Sequence, residues 1–223
     1  MKGKLFGSHN SMTFLPPKNP LMYLGGLLVA RCQTKNLKEQ ASVGARVFDL
    51  RVYYDEKGKK VKCGTKSFNY IIDHWRFAHG ACKFRGMTLF EALEQLMEII
   101  EETRRQRHYV RIIYEHGDHQ LEFIEMCKMI EKIYHEETEG KIIFFGGNQK
   151  SDWKQLYKFN NIYCKEYADE YGGFSDLYNN QWVSSMAEDA RWYEKAIPYL
   201  YAKRMNKKNL ENAKFLVNLY DFI

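Results

Sequence analysis

Features that would place this sequence in a familiar class are largely absent. Its five cysteines are scattered and form no C-x-x-C pair, which argues against a zinc knuckle and a dithiol redox site. We expect them to be reduced thiols or small buried hydrophobic side chains. The first residues, MKGKLFGSHNS, lack the apolar region of a signal peptide, and the longest apolar stretch, Leu21–Ala30, is too short to cross a bilayer. The sequence therefore predicts a cytoplasmic protein in which Leu21–Ala30 forms a loop or a short helix.

Internal repeats, low-complexity tracts and linkers are also missing. The 223 residues, 45% of them hydrophobic and 28% charged, are enough for one well-filled core. We therefore predict a single domain over residues 1–223. The formal net charge of +6 favours an anionic partner, such as a phosphoester, an anionic lipid surface or nucleic acid.

Short β-rich runs alternate with helical patterns along the chain. Several of these runs are continuously apolar or β-branched, as expected for strands buried on both faces. The predicted strands are Lys4–Gly7, Ala45–Tyr54, Ile71–Ala78, Val110–Tyr114, Lys141–Phe145, Asn161–Tyr167 and Lys214–Asp221. The charged stretch Asp55–Lys62 contains one glycine and predicts an exposed hairpin or loop.

Three helices are predicted between these strands. The clearest covers about Thr88–Arg107 and opens with T-L-F-E, a capping box completed by Glu91. A second amphipathic helix covers about His119–His135. A third covers about Ala187–Arg204, and Pro198 should kink or split it.

This alternation predicts an α/β fold with a parallel sheet. Seven or so strands in one domain suggest a closed (β/α) barrel of the TIM type. The chain is shorter than the ~250 residues typical of that barrel, so we expect it to be distorted, with some helices missing or replaced by loops.

In such a barrel, catalytic groups lie at the carboxyl ends of the strands. The polar residues at or near those ends are His9, Asn10, Asp49, Arg51, His79, Glu115, Lys165, Tyr167 and Asp221. Asp49 and Arg51 are two apart on one strand and therefore point to the same side, toward the lumen. Burying a carboxylate and a guanidinium there is costly, which favours a functional role over a structural ion pair.

Three collinear segments resemble the X domain of phosphatidylinositol-specific phospholipase C. They are GSHNSMTF, then ARCQTKNLKEQASVGARVFDLRV, then RFAHG followed by TLFEALEQLMEII. The opening GSHNS and the block that joins Q-x-x-x-x-x-x-Q to GARVFDLR are specific in combination. The resemblance covers about the first half of the chain strongly, and the second half only through strand order and Asp221.

The resemblance implies a phosphodiesterase that cleaves the glycerol–phosphate bond of a phosphoinositide-like lipid through a cyclic phosphate, without metal or cofactor. His9 matches the general base that deprotonates the attacking 2-hydroxyl, and His79 matches the general acid that protonates the leaving alkoxide. Arg51 matches the arginine that contacts the phosphate, and Asp221 matches the aspartate that orients the base. Asp49, paired with Arg51, belongs to the same catalytic set.

These residue types suit the implied chemistry. A histidine with an unperturbed pKa of ~6.5 can accept and donate protons near neutral pH. A planar guanidinium can bind two phosphoryl oxygens and keeps its charge as negative charge builds up in the transition state. The other histidines, His74, His108, His116, His119 and His135, are expected to be structural.

Asn10 and Glu115 depart from the bacterial pattern. They match positions that the calcium-dependent eukaryotic members use, and we assign them to substrate binding; a calcium site near both residues and a solvated loop acid at Glu115 stay open as alternatives. Because Arg51 would repel a neighbouring cation, we expect no catalytic calcium.

Further departures concern the groups that bacterial relatives use around the inositol ring. Gly146 and Gly147 replace an arginine or lysine, and Lys165 replaces an acidic residue, whereas Tyr167 is retained. Lys165 and Tyr167 are therefore further candidates for substrate binding, and the headgroup itself stays open.

Two other functions remain alternatives. A glycerophosphodiester phosphodiesterase would carry an early H-R-G and an E-x-D metal pair, where this chain has S-H-N and D-L-R. A lipid-headgroup-binding domain without turnover would also explain the altered recognition groups. The expected partner is a phospholipid or soluble phosphodiester, with peripheral contact to an anionic membrane surface as an option and no nucleic acid. The sequence leaves the oligomeric state open.

Overall fold

The computed structural model describes residues 5–23, 30–64, 69–103, 106–138, 141–148, 162–163, 191–211, 217–220 and 223. Within these ranges the strands are β1 (Leu5–Ser8), β2 (Val47–Cys63), β3 (Asn69–His79), β4 (Cys82–Lys83), β5 (His108–His116), β6 (Ile142–Asn148), β7 (Ile162–Tyr163) and β8 (Val217–Tyr220). The helices are a short 3-10 turn (Pro20–Tyr23), α1 (Leu37–Ser42), α2 (Leu89–Glu102), α3 (Gln120–Thr138), α4 (Trp192–Ala196) and α5 (Pro198–Glu211).

The strands form a mixed sheet that is mainly parallel. Parallel pairing joins β8 to β1, β1 to β2, β2 to β5, β5 to β6 and β6 to β7. The carboxyl ends of these strands therefore lie at one edge of the sheet. The predicted α/β class is confirmed. Closure of the sheet into a barrel remains a prediction.

The strand predicted over Ile71–Ala78 differs from the expected parallel arrangement. It is part of β3, which pairs antiparallel with the second half of β2, with Val52 opposite Phe77. The reason is the short connection over residues 64–68, since a parallel crossover needs a dozen residues or more. The stretch Asp55–Lys62, predicted as an exposed hairpin or loop, is the outer part of β2, with a register irregularity after Tyr54.

The two faces of β2 differ as its alternating pattern predicts. Phe48, Leu50 and Val52 belong to a hydrophobic cluster that also contains the buried face of α2. Asp49 and Arg51 lie on the opposite face, and both are buried. Strands buried on both faces are typical of a sheet covered by helices.

The helix boundaries follow their capping signals. The Thr88 side chain accepts a hydrogen bond from the Glu91 backbone N–H, and the Glu91 carboxylate accepts one from the Thr88 N–H, so the predicted capping box is present. Pro198 splits the third predicted helix as expected, because α4 ends at Ala196 and α5 begins at the proline. Helix α1 was not predicted, although Asn36 caps it in the same way.

Other predicted features fall partly outside the described ranges. Only Ile162–Tyr163 of the strand predicted over Asn161–Tyr167 is described, and β8 covers Val217–Tyr220 of the last predicted strand. The four described cysteines, Cys32, Cys63, Cys82 and Cys127, are buried, as expected of small hydrophobic side chains. Among the described helices, none combines the length and the apolar character that a membrane crossing requires.

His108, at the start of β5, should make folding stability depend on pH. Burial and then the guanidinium of Arg46 lower its pKa, a hydrogen bond to the backbone of Gln106 opposes both effects, and the net pKa is about 4. The unfolded chain, with a pKa of ~6.5, then binds more protons, so stability is lost as pH falls from ~6.5 toward about 4.

We expect the His108→Asn variant to show a weaker dependence on pH, since an amide can still donate to the Gln106 carbonyl but does not titrate. Between those pH values the wild type should lose stability relative to the variant by up to ~1.4 kcal/mol per pH unit. Urea unfolding at several pH values measures this difference. Parallel pH profiles for the two proteins would contradict it.

Candidate active site

The turn after β1 carries His9 and Asn10 against the first residues of β2. Two backbone hydrogen bonds fix this turn. His9 N–H donates to the Tyr220 carbonyl at 3.0 Å, and Ser11 N–H donates to the Asp49 carbonyl at 2.8 Å. Asn10 has a φ of 46°, in the left-handed region that asparagine tolerates better than most residues. The turn therefore places His9 and Asn10 beside Asp49.

Two glutamine side chains hold this turn from outside. Gln33 Nε2 donates to the carbonyls of His9 and Tyr220 at 3.0 and 2.8 Å, and Gln40 Nε2 donates to the Ser11 carbonyl at 2.8 Å. Both glutamines are fully buried. These are the two glutamines of the Q-x-x-x-x-x-x-Q motif. Their spacing lets both side chains hydrogen-bond to backbone carbonyls around His9.

Asp49 is the centre of the polar cluster, with no exposed surface. Its Oδ2 accepts hydrogen bonds from Asn10 N–H at 3.1 Å and from Arg51 Nε at 3.2 Å, and it lies 3.8 Å from His9 Nε2. Its Oδ1 lies 3.5 Å from Nη1 of Arg111, another fully buried residue. One carboxylate therefore lies close to two guanidinium groups and to the imidazole of His9.

The contact between His9 and Arg51 defines the protonation of the imidazole. Arg51 Nη2 lies 2.8 Å from His9 Nε2, and Asn10 Nδ2 lies 3.0 Å from the same atom. A guanidinium can only donate, so Nε2 must accept, and the neutral imidazole carries its proton on Nδ1. The lone pair of His9 Nε2 is therefore directed at these two donors, and it can accept a proton once they are drawn away.

His79, at the end of β3, faces His9. The two ring centroids are 5.9 Å apart and the rings are nearly perpendicular, at 78°. His79 Nδ1 donates to the Ala30 carbonyl at 2.7 Å, and Cys32 Sγ lies 3.6 Å from the same nitrogen. Nε2 of His79 is therefore the atom at which this side chain can gain or lose a proton.

The surroundings of His79 shift its pKa in both directions. Burial lowers the pKa below its ordinary value, and the positive charge of Arg51 lowers it further. The hydrogen bond to the Ala30 carbonyl and the negative charges of Glu115 and Asp49 raise it. The net effect is a lowered pKa, which favours the neutral imidazole in the free protein.

Glu115 closes the cluster at the end of β5. Its Oε1 accepts a hydrogen bond from Gly80 N–H at 2.8 Å, and its Oε2 lies 3.8 Å from Arg51 Nη1.

The predicted site residues that the structure brings together are His9, Asn10, Asp49, Arg51, His79 and Glu115. Lys165, Tyr167 and Asp221 lie outside the described residues, and Gly146 and Gly147 lie within β6.

Sequence reasoning missed Arg111 and Cys32. Arg111 interrupts an otherwise apolar strand and lies four residues before Glu115, on the same face, so its position was a usable signal. Cys32 gave no signal, because only the fold brings its thiol to His79 and to within 3.7 Å of Asn10 Nδ2. The described residues contain no group of three or more histidine, cysteine, aspartate or glutamate side chains that could hold a metal ion.

We expect the buried charges around Asp49 to dominate local stability. Asp49→Ala removes the carboxylate between Arg51 and Arg111 and should lower the free energy of unfolding by about 3–5 kcal/mol, as is typical for a broken buried ion pair. The control is Glu125→Ala, which removes a carboxylate that is 68% exposed and paired with the 48% exposed Lys128, with an expected loss of about 1 kcal/mol or less. Urea unfolding measures both, and equal losses would contradict the prediction.

Comparisons with solved structures show which fold this chain shares. No protein-family model matches the chain, and no curated protein matches it. Solved structures do. The phosphatidylinositol-specific phospholipase C from Listeria monocytogenes is 15% identical, with a TM-score of 0.57 over 99% of this chain and 88% of that one.

The enzyme of the same name from Staphylococcus aureus gives similar results. A variant of it is 14% identical, with a TM-score of 0.61 over 99% of this chain and 86% of that one. A further structure of the S. aureus enzyme, described by the modulation of its membrane binding, is 14% identical with a TM-score of 0.53 over 99% and 86% of the two chains. At these identities the chain shares the mixed α/β fold of bacterial phosphatidylinositol-specific phospholipases C.

Proposed function

We propose that this protein is a phosphodiesterase that cleaves the glycerol–phosphate bond of a phosphoinositide-like lipid and forms a cyclic phosphate. The observation that carries the proposal is the buried cluster in which the guanidinium of Arg51 lies 2.8 Å from Nε2 of His9, while the ring of His79 faces His9 at 5.9 Å. A base, an acid and a fixed positive charge at this spacing suit the in-line displacement of an alkoxide at phosphorus. We further propose that residues 1–223 form one domain whose sheet closes as a barrel.

In the proposed reaction, His9 Nε2 takes the proton of the headgroup hydroxyl next to the phosphate. The resulting oxygen forms a bond to phosphorus as the bond from phosphorus to the glycerol oxygen breaks. His79 gives its Nε2 proton to that glycerol oxygen, so the products are diacylglycerol and a cyclic phosphate. Arg51 neutralises the charge on the phosphoryl oxygens, and Asp49 holds Arg51 in place.

The lowered pKa of His79 fits this scheme when substrate charge is included. Burial favours the neutral ring in the free protein, whereas the acid must be protonated. A phosphodiester bound beside it adds a negative charge, which raises the pKa of a neighbouring imidazole. Substrate binding would therefore favour the protonated form that the reaction needs.

Substrate recognition is proposed for Asn10, Lys165 and Tyr167, and orientation of His9 for Asp221. Nothing among the described residues hydrogen-bonds to Asn10 Oδ1, a buried acceptor one residue from the base. A buried acceptor without a partner is costly, so a ligand hydroxyl is a suitable partner for it. Contact with an anionic membrane surface is part of the proposal, since the substrate class is a lipid.

Product analysis tests the proposal directly. Phosphorus NMR on phosphatidylinositol, a phosphorylated inositide and phosphatidylcholine should show a cyclic phosphate only for inositides, because choline has no hydroxyl beside the phosphate.

The variants His9→Ala and His79→Ala should each lower kcat by ~10²–10⁴, with effects far from additive, whereas the control His119→Ala should keep the kcat of the wild type. A variant with wild-type kcat would exclude its histidine from catalysis. Lipid binding without turnover would favour a headgroup-binding domain.

Activity should survive an excess of EDTA. Arg51 Nε lies 3.2 Å from Asp49, and Arg51 Nη1 lies 3.8 Å from Glu115, so a guanidinium stands between the two carboxylates that could otherwise bind a cation. The measurement is kcat/KM before and after chelation. Loss of turnover that calcium or magnesium restores would refute the prediction and favour the metal-dependent alternative, a glycerophosphodiester phosphodiesterase.

A further inference from the structure

The peptide group that follows His79 is held on both sides by the end of β5. Gly80 N–H donates to Glu115 Oε1 at 2.8 Å, and His116 Nε2 donates to the Gly80 carbonyl. Gly80 has a φ of 54°, a left-handed conformation that glycine adopts without the steric cost of a side chain. The turn that carries His79 is therefore fixed by two consecutive residues of another strand.

Glu115 also lies near Arg51, the residue proposed to contact the phosphate. Its Oε2 lies 3.8 Å from Arg51 Nη1, and its side chain is only 3% exposed. One carboxylate thus contacts the turn of His79 through one oxygen and faces Arg51 through the other. Since both oxygens already face protein groups, the substrate-binding role predicted for Glu115 from the sequence is not needed to explain its position.

We propose that Glu115 is a positioning residue whose carboxylate fixes the turn of His79 relative to Arg51. The role rests on the proposed function, in which His79 donates a proton and Arg51 contacts the phosphate. One of these groups acts on the leaving oxygen and the other on the phosphoryl oxygens of the same phosphate, so they must keep their spacing, because a misplacement of about 1 Å can cost 10²-fold in rate. A single buried carboxylate that faces both groups meets this requirement.

The charge of Glu115 has a second consequence. His79 is surrounded by the carboxylates of Glu115 and Asp49 and by the guanidinium of Arg51, with the Cys32 thiol beside it. Burial and Arg51 lower the pKa of His79, whereas Glu115 raises it. Loss of this negative charge should therefore lower the pKa of His79 further, an effect that depends on the charge of Glu115 and not on the volume of its side chain.

The Glu115→Gln variant separates charge from geometry, because the amide oxygen can still accept the bond from Gly80 N–H. NMR titration of the His79 imidazole should give a lower pKa in Glu115→Gln than in the wild type. The control Asp118→Asn, an exposed carboxylate three residues further along the chain, should leave the titration of His79 unchanged. This measurement needs no turnover, so it stays decisive even if the proposed reaction is wrong.

Turnover supplies the second measurement. Glu115→Ala loses both contacts and should lower kcat by about 10–10²-fold with a smaller change in KM, since it disturbs the spacing of His79 and Arg51. Glu115→Gln should retain more kcat, with the basic limb of its pH profile moved to lower pH. Wild-type kcat in Glu115→Ala would overturn the positioning role, and an unchanged His79 titration in Glu115→Gln would overturn the contribution of its charge.

Discussion

The rest of the site depends on the burial of one carboxylate, that of Asp49, between two guanidinium groups. Asp49 and Arg111 have no exposed surface, and Arg51 has 5%. Removing such charges from water costs several kcal/mol for each ion, and close partners must offset that cost. Because each partner is needed to neutralise the next, the geometry of Asp49, Arg51 and Arg111 is fixed before any ligand binds. A site of this kind is preorganised by its own electrostatics.

The backbone around this cluster is built to keep the same geometry. Gln33 joins the turn of His9 to β8 through the Tyr220 carbonyl, and Gln40 holds the Ser11 carbonyl. At Gly7, a Cβ would lie 2.6 Å from Leu219 Cδ2 and 2.7 Å from Val47 Cβ, so a side chain there would push β1 away from its neighbours. The close approach of β1 to β2 and β8 thus lets His9 reach Asp49, and the fold and the site share one constraint.

Local patterns in the sequence predicted more of the structure than long-range contacts did. The spacing of Asp49 and Arg51, the capping box at Thr88 and the break at Pro198 are properties of neighbouring residues, and the structure confirms them. The antiparallel β3, the thiol of Cys32 beside His79 and the double contact of Glu115 depend on segments distant in sequence. A periodic pattern carries no information about which strand will pair with which. The resemblance to a known family indicated His9 and His79 as candidates for catalysis, which periodicity alone does not distinguish from structural histidines.

The resting site has a consequence for how the proposed reaction would begin. The lone pair of His9 Nε2 already accepts from Arg51 at 2.8 Å and from Asn10 at 3.0 Å, so the base is occupied before substrate binds. A phosphodiester that draws the Arg51 donors to its own oxygens would release that lone pair to accept the hydroxyl proton. The same anionic group would favour the protonated form of His79. Base and acid would thus reach their working states only with a phosphate present, which would couple recognition of the phosphodiester to activation of both histidines.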